Sequence, residues 1–445
     1  MDDNITAAYL ARYRDAVADD PHVAPVTGAQ RRFLTLRSLS HGTAPVVVPL
    51  YFRFPRGTVD VARLEEAAAC LAARHAALRM RFEVAASIPV QRLTDPRGFV
   101  RRVIAGPGEN VAAALRRELL GWSADGPVLR LLLATGDDQP EDETLAVVVD
   151  HAACDEQSLG SLTDGLTRAY RERTSARDVR SEEGARAVGD YRDTVERQLA
   201  AERAASAQSS LDYWSERLSG LVPTGLALRT VTAGPGEDDD PTGMLQYRRP
   251  AAVGTERTAL FPALLGATAS AVASLASAAA QGDSTPLLGY PWGGRPLGAA
   301  PVMGCFLNTV LFTAGAPDDL DDVSDRWWDD IDHADTPLDE VLRVARKRGG
   351  AWSGALDALL TLEDTTRRPP LELGGVEGRE THLRGPALQS PLAVSVSQSQ
   401  ADLLVRMGWN RHQLAPAHGQ TAFDALRSAL GGHLDPAPDR PATVH

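Results

Sequence analysis

The sequence has little cysteine. Cys70, Cys154 and Cys305 are the whole set in 445 residues. None sits in a Cys-x-x-Cys pair, which excludes a thiolate metal cage and a redox dithiol, and an odd number without regular spacing excludes a disulfide framework. A reducing cytoplasm is the expected location. Long apolar runs are also missing: none reaches the ~18 residues a membrane helix needs. Residues Met1 to Ala18 are polar and lack the apolar centre of a signal peptide. An excess of positive charge is absent too. The net charge of -13 excludes broad nucleic-acid binding and argues against docking on an anionic membrane. No GxxxxGK[ST] loop and no metal-ligand cluster appears, so neither ATP chemistry nor a metal is expected. Gly106-Pro107-Gly108 follows a strand pattern and precedes a helix pattern, but Val111 stands where a dinucleotide loop needs its third glycine.

What is present is an ordinary globular composition, 43% hydrophobic and 24% charged, in a chain long enough for two domains. Strand patterns cover Val46 to Phe54, a segment led into by Ala77 to Phe82, and Val90 to Leu93, Phe99 to Ile104, Val128 to Ala134 and Leu145 to Val149. Helix patterns cover Asp60 to Arg74, with Asp60 as cap, and Val111 to Leu120 and Ser158 to Tyr170. Residues 171 to 187 are charged and poor in apolar groups and read as a link between lobes. A long helical stretch follows from Gly189 to Leu218, then an exposed loop from Ala233 to Gly243 and an alanine-rich helix from Leu260 to Ala280. Leu287 to Arg295 and Gly304 to Thr313 read as strand, loop and strand, and Val394 to Ser397 and Leu403 to Trp409 as late strands. Asp435 to His445 is proline-rich and reads as a frayed end. The class is mixed α/β.

The chemistry concentrates in Val147-Val148-Val149-Asp150-His151-Ala152-Ala153-Cys154-Asp155-Glu156. A buried strand delivers a histidine to its end, and an aspartate follows four residues later. Loops at strand ends can converge on a substrate, and an imidazole exchanges protons near neutral pH. Taken alone, this spacing also fits a hydrogen-bonded loop histidine.

Neighbouring segments decide between those readings. Thr27-Gly28-Ala29-Gln30-Arg31-Arg32-Phe33 resembles the opening motif of the condensation domains of non-ribosomal peptide synthetases. Arg74-His75-Ala76-Ala77-Leu78-Arg79-Met80-Arg81-Phe82 resembles their "RHxxLRxxF" run. Asp150 to Glu156 resembles the catalytic "HHxxxDG" segment. Asp190-Tyr191 is a faint match to the fourth motif, and Tyr213-Trp214 with Leu218 and Gly220 resembles "YWxxxLxG". Gly289-Tyr290-Pro291-Trp292-Gly293-Gly294-Arg295 is similar to the fifth motif and Gly304-Cys305-Phe306-Leu307-Asn308-Thr309 to the sixth. Asp335-Thr336-Pro337-Leu338-Asp339-Glu340 looks like the seventh. The matches run in family order from about residue 27 to 340.

The resemblance implies two chloramphenicol acetyltransferase-like lobes in a V around a central tunnel, with the N-terminal lobe at 1-175 and the C-terminal lobe at 176-445. It implies an acyl group carried as a thioester on the phosphopantetheine arm of an acyl or peptidyl carrier protein, and an amine or alcohol acceptor, free or carrier-bound. No cofactor is bound on this reading. The chain is filled by this one unit, so the expectation is a stand-alone enzyme served in trans. His151 is the expected catalytic residue, either orienting the acceptor alone or orienting and deprotonating it. Asp155 is expected to be structural and paired with Arg295, while Asn308 and Gly304 are expected to hold the loop that floors the tunnel. Asp150 replaces the first motif histidine. Adjacent strand residues point to opposite faces, so it is expected to face away and act as structural support. Glu156 replaces the motif glycine and either enters the tunnel or points outward. Trp292 is either core or tunnel wall. Arg168, Arg171, Arg173, Arg177 and Arg180 form either a solvated helix end or a dock for an acidic carrier. Two rivals remain: a CoA-dependent acyltransferase with the same HxxxD motif, against which the plant-type "DFGWG" motif is missing, and a non-catalytic recruitment platform, which Asp150 and Glu156 favour.

Overall fold

The structure is a computed structural model. It describes residues 4–17, 20–39, 46–123, 126–231, 240–250, 257–276, 284–313, 319–347, 352, 354–383 and 388–434.

The first sheet is built on its most apolar strand. Asp142–Asp150 is buried from Glu143 onward on both faces, which suits a central position. It pairs antiparallel with Val47–Pro55 on one side and Leu129–Thr135 on the other. Val100–Ile104 completes that edge in parallel. The helix Val61–Arg74 covers one face with Leu64, Ala67, Ala68 and Leu71. Its expected cap is present: Asp60 accepts from the Arg63 N–H. The helix Glu156–Glu172 lies beside it, and Gly165 makes room for Leu71. The helix Val111–Leu120 covers the opposite face.

The second sheet runs in the order Leu307–Thr313, Leu287–Gly293, Ala358–Asp364, Leu392–Gln398, Asp402–Asn410, Thr242–Pro250. The helices Arg257–Ala276 and Pro416–Leu434 pack on it and on each other. Their approach is close because Ala263, Ala267 and Ala271 are fully buried. A small three-stranded sheet joins Val23–Pro25, Ile88–Leu93 and Met80–Ala85.

The chain does not leave the first sheet for good at the middle of the sequence. After Ala358–Asp364 it returns, and Arg379–Thr381 pairs antiparallel with Val47–Pro55. Leu371 and Leu373 enter the first core, as do Tyr191, Val195, Cys305 and Phe306.

Three expectations change. The charged segment 171–187 is helical from Ser181, where a helix runs to Ala205. Its few apolar groups reflect an exposed helix face. The stretch from Gly189 to Leu218 is two helices, since Gln208–Arg217 starts afresh after a break at Ser206 and Ala207. Thr242–Pro250 is a strand where only the end of a loop was expected. The alanine-rich helix is described to Ala276. The remainder of that helix pattern, most of the acidic loop and the proline-rich end lie outside the described residues. Among the described residues no helix is long and apolar enough to cross a membrane.

Candidate active site

His151 opens a single 3-10 turn, His151–Ala153, at the end of the buried strand. Its backbone N–H still donates to the Val46 carbonyl, so the sheet fixes the residue before the chain turns away. The ring is anchored by Nδ1, 3.0 Å from the Cys154 carbonyl oxygen. A carbonyl can only accept, so Nδ1 carries the proton and Nε2 keeps a free lone pair. Phe33 stacks on the imidazole at 4.3 Å between centroids and 24° between planes. Burial pushes the His151 pKa down, although hydrogen bonding to Cys154 and the charges of Asp150 and Asp155 work the other way. The neutral base is therefore the favoured form near pH 7.

Phe33 arrives on the helix Gly28–Leu39, and the first sequence motif explains how that helix is set. Thr27 Oγ1 accepts from the Gln30 N–H at 3.3 Å while Gln30 Oε1 accepts from the Thr27 N–H at 2.9 Å, a reciprocal capping box. Gln30 then donates through Nε2 to the Ala152 carbonyl at 2.8 Å. Gln30, Phe33 and Arg37 share one helix face at spacings of three and four. They meet Ala152, His151 and Asp150 respectively.

Asp155 caps the next helix. Its Oδ1 accepts from the Ser158 N–H at 3.1 Å and lies 2.8 Å from Ser158 Oγ. Its Oδ2 accepts from Arg295 Nη1 at 2.7 Å and from the Phe306 N–H at 3.1 Å. Arg295 also donates to the Val302 carbonyl and to Ser158 Oγ, both at 2.9 Å. Ser158 Oγ accepts from the Gly304 N–H at 3.1 Å. Asp155 and Arg295, only 5% and 11% exposed, thus pin the loop between the strands Leu287–Gly293 and Leu307–Thr313 to the turn that carries His151. Gly304 is required there: a Cβ would lie 2.4 Å from the buried Phe306 ring.

The remaining expected residues are placed as follows. Asn308 holds a different segment: Nδ2 donates to Ala334 and Thr336 carbonyls at 2.8 and 2.6 Å, and Oδ1 accepts from the Leu338 N–H. It fixes the turn before the helix Leu338–Lys347 and not the loop around Gly304. Asp150 is turned from His151 but is buried, and it accepts from Arg37 at 2.5 Å and from the Ala152 N–H at 3.0 Å. Trp292 is half-buried and packs on the second core. Glu156 is exposed at the start of its helix, facing the Asp364 N–H. Its pKa is raised, chiefly because the neighbouring segment shields the carboxylate from water, with Glu363 and Asp155 adding repulsion. The carboxylate form is thus disfavoured in the fold, so its removal should cost little. Glu156→Gln is expected to leave stability within about 0.5 kcal/mol of wild type. Thermal unfolding at pH 7 measures this, and a clear loss would place Glu156 in a structural role. Arg168, Arg171 and Arg180 are exposed and meet Asp164, Glu172 and Glu182.

Between the two sheets opens a cavity of about 200 Å³, lined by Pro49 and Tyr51 of the first sheet and by Met244, Ser395 and Arg406 of the second, with His382. Among the described residues no group of side chains suits a metal ion. Cys154 and Cys305 are buried, with pKa values pushed up by burial, so both thiols stay protonated. Sequence reasoning assigned no role to Phe33, Gln30, Arg37 or Ser158. The capping-box pattern Thr27–Gln30 was the available signal for the first two.

The family model for the condensation domain matches residues 21–314. The chain belongs to the condensation-domain family. Condensation domains of nonribosomal peptide synthetases work on substrates held on phosphopantetheine arms of carrier proteins. The chain is 28% identical over 367 residues to the probable nonribosomal peptide synthetase CymA of Salinispora arenicola, covering 78% of this chain and 5% of CymA. It is 26% identical over 444 residues to a dimodular nonribosomal peptide synthase of Bacillus subtilis, covering 92% of this chain and 18% of the relative. It therefore spans a small part of each. Among solved structures, the first condensation domain of the calcium-dependent antibiotic synthetase, in complex with a substrate analogue, superposes with a TM-score of 0.67 at 16% identity, over 94% of this chain and 98% of that one. The X-domain from teicoplanin biosynthesis gives 0.65 at 18%, over 95% and 98%. The complex of that X-domain with OxyB gives 0.63 at 18%, over 95% of each. These likenesses confirm the mixed α/β, chloramphenicol acetyltransferase-like fold of the condensation domain.

Proposed function

We propose that the chain is a stand-alone condensation enzyme, which joins an acyl group held as a thioester on a carrier protein to an amine or alcohol acceptor. The observation that carries this reading is the anchored His151 ring, with its Nδ1 proton committed to the Cys154 carbonyl. Nε2 is left as a base. The acceptor N–H or O–H loses its proton to Nε2 as its heteroatom bonds to the thioester carbon. The C–S bond then breaks, and the leaving thiolate takes the proton back. Asp155, Arg295 and Gly304 act as structural support for the turn under the histidine. The Asp150 carboxylate supports it from the strand side, and Asn308 holds the separate 334–338 turn. On this reading the lobes divide near residue 175; the cavity between the sheets is not lined by His151, Trp292 or Glu156. The proposed setting is the cytoplasm.

The test is reconstitution of the purified chain with an acylated carrier protein and candidate amine or alcohol acceptors. Product should form from the carrier-bound thioester. Turnover with free acyl-CoA in place of the carrier would move the reading to a CoA-dependent acyltransferase. ATP-dependent turnover of the free acid would contradict both.

A second reading is favoured by Asp150 and Glu156, which replace two motif residues, and by the likeness to the X-domain solved with OxyB. On that reading the fold recruits another protein and His151 does no chemistry. Retention of His151 with its free Nε2, and of the Asp155–Arg295 pair, favours the enzyme.

A further inference from the structure

The strand that presents His151 ends on a buried charge. Asp150 is 3% exposed and sits immediately before the histidine. Its two oxygens do different things. Oδ1 accepts from the Ala152 N–H at 3.0 Å and so closes the turn on which His151 is the first residue. Oδ2 meets Arg37 Nη2 at 2.5 Å, and both side chains are largely buried. Arg37 is the third contact made by one helix face: Gln30 holds Ala152, Phe33 stacks on His151, and Arg37 takes Asp150. A helix docked at three consecutive residues of the turn fixes where the imidazole stands.

We infer that Asp150 and Arg37 form a charge-compensated positioning pair, which locks the His151 turn and sets the field in which the imidazole exchanges its proton. The inference rests on the reading of His151 as the base. Neither residue touches the reacting atoms; both act through the turn.

Among the described residues, the charged groups around the ring are few. On the strand side stand Asp150 and Arg37, with Arg130 of the neighbouring strand acting on Asp150. On the helix side stands Asp155, compensated by Arg295. Phe33 brings no charge, the Cys154 thiol stays protonated, and Glu156 is turned to the 363–367 segment. Each carboxylate by the ring therefore has its own guanidinium. Removing one member of a pair exposes the ring to the other, and the sign of the change depends on which is removed. Glutamine at 37 leaves a buried carboxylate that favours the imidazolium. Asparagine at 150 keeps Oδ1 as acceptor for the Ala152 N–H, so the turn survives, but it removes the negative charge that raises the His151 pKa.

The experiment is a histidine-ring NMR titration of the full chain, with the His151 signal assigned by its loss in His151→Asn. Arg37→Gln should raise the His151 midpoint by about half a unit to one unit, and Asp150→Asn should lower it by a similar amount. The double variant should return near wild type. Midpoints unchanged in both single variants, or shifted the same way, would overturn the pair as the source of the field. Should Arg37→Gln fail to fold, Asp150→Asn and the double variant still give two distinct predictions, a lowered midpoint and one near wild type. The titration needs no substrate. Its outcome is thus separate from that of the catalytic reading, which is decided by turnover assays of the wild-type chain and the His151 variants. Where both hold, the acid limb of kcat/KM moves with the NMR midpoint.

Discussion

His151→Ala is expected to lose about 10²- to 10⁴-fold in turnover while the protein stays folded, the usual loss when a positioned acid–base group is removed. The expected loss traces to one atom. Nδ1 is spent on the Cys154 carbonyl, so Nε2 alone can take a proton. Alanine removes the base, but it also removes the partner of Phe33 and the hydrogen bond to Cys154. A second variant separates these effects. In His151→Asn the side-chain amide can reach the Cys154 carbonyl much as Nδ1 does, so the turn is kept while nothing replaces Nε2. Both variants should be equally slow, and His151→Asn should melt closer to wild type. Full activity in a well-folded His151→Asn would remove the catalytic reading.

The same atom sets a pH dependence with a definite sign. Burial holds the His151 pKa below its ordinary 6.5 in the folded state. The base is present above its folded pKa, so the acid limb of kcat/KM should lie below pH 6.5. Stability follows the same direction: the unfolded chain binds this proton more readily, so stability falls as pH drops below 6.5. That contribution should vanish in His151→Ala.

Local physics made part of this fold legible. Asp60 was readable as a cap because its side chain answers an orphan N–H three residues on, and Leu145 to Val149, the centre of the strand Asp142–Asp150, was readable from its unbroken apolar run. The strand Thr242–Pro250 was not, because it lies at a sheet edge with half-exposed arginines and shows little apolar contrast. Arg379–Thr381 is three polar residues, and only its partner Val47–Pro55 makes it a strand. The site divides similarly. The strand-end histidine and the aspartate four residues later share one local segment. The stacking of Phe33 and the compensation of Asp150 by Arg37 join residues more than a hundred positions apart, which spacing does not encode. Asn308 was assigned to the wrong loop for the same reason: its partners at 334–338 are set by packing of the helix Leu338–Lys347.

Asp155→Ala and Arg295→Ala are each expected to destabilise the protein by about 3–5 kcal/mol, because each strands a buried partner charge. The pair has almost no solvent to fall back on, at 5% and 11% exposure. Asp155 loses more than the ion pair, since its Oδ1 caps the helix Glu156–Glu172 and its Oδ2 takes the Phe306 N–H. Asp155→Ala should therefore be the worse of the two. The double variant should be less damaged than the sum of the singles, because the second change removes the charge the first left unpaired. Asp155→Asn is the informative control. Its one carbonyl oxygen can serve the Ser158 N–H or the Phe306 N–H, and its amide then faces the donors of Arg295 or Ser158 with nothing to offer them. It should fall between wild type and Asp155→Ala. Denaturant unfolding of all four variants measures the cycle, and activity should fall along with stability because the loop from Arg295 to Phe306 is no longer pinned to the histidine turn. Wild-type stability in both single variants would mean that the pair does not hold that loop.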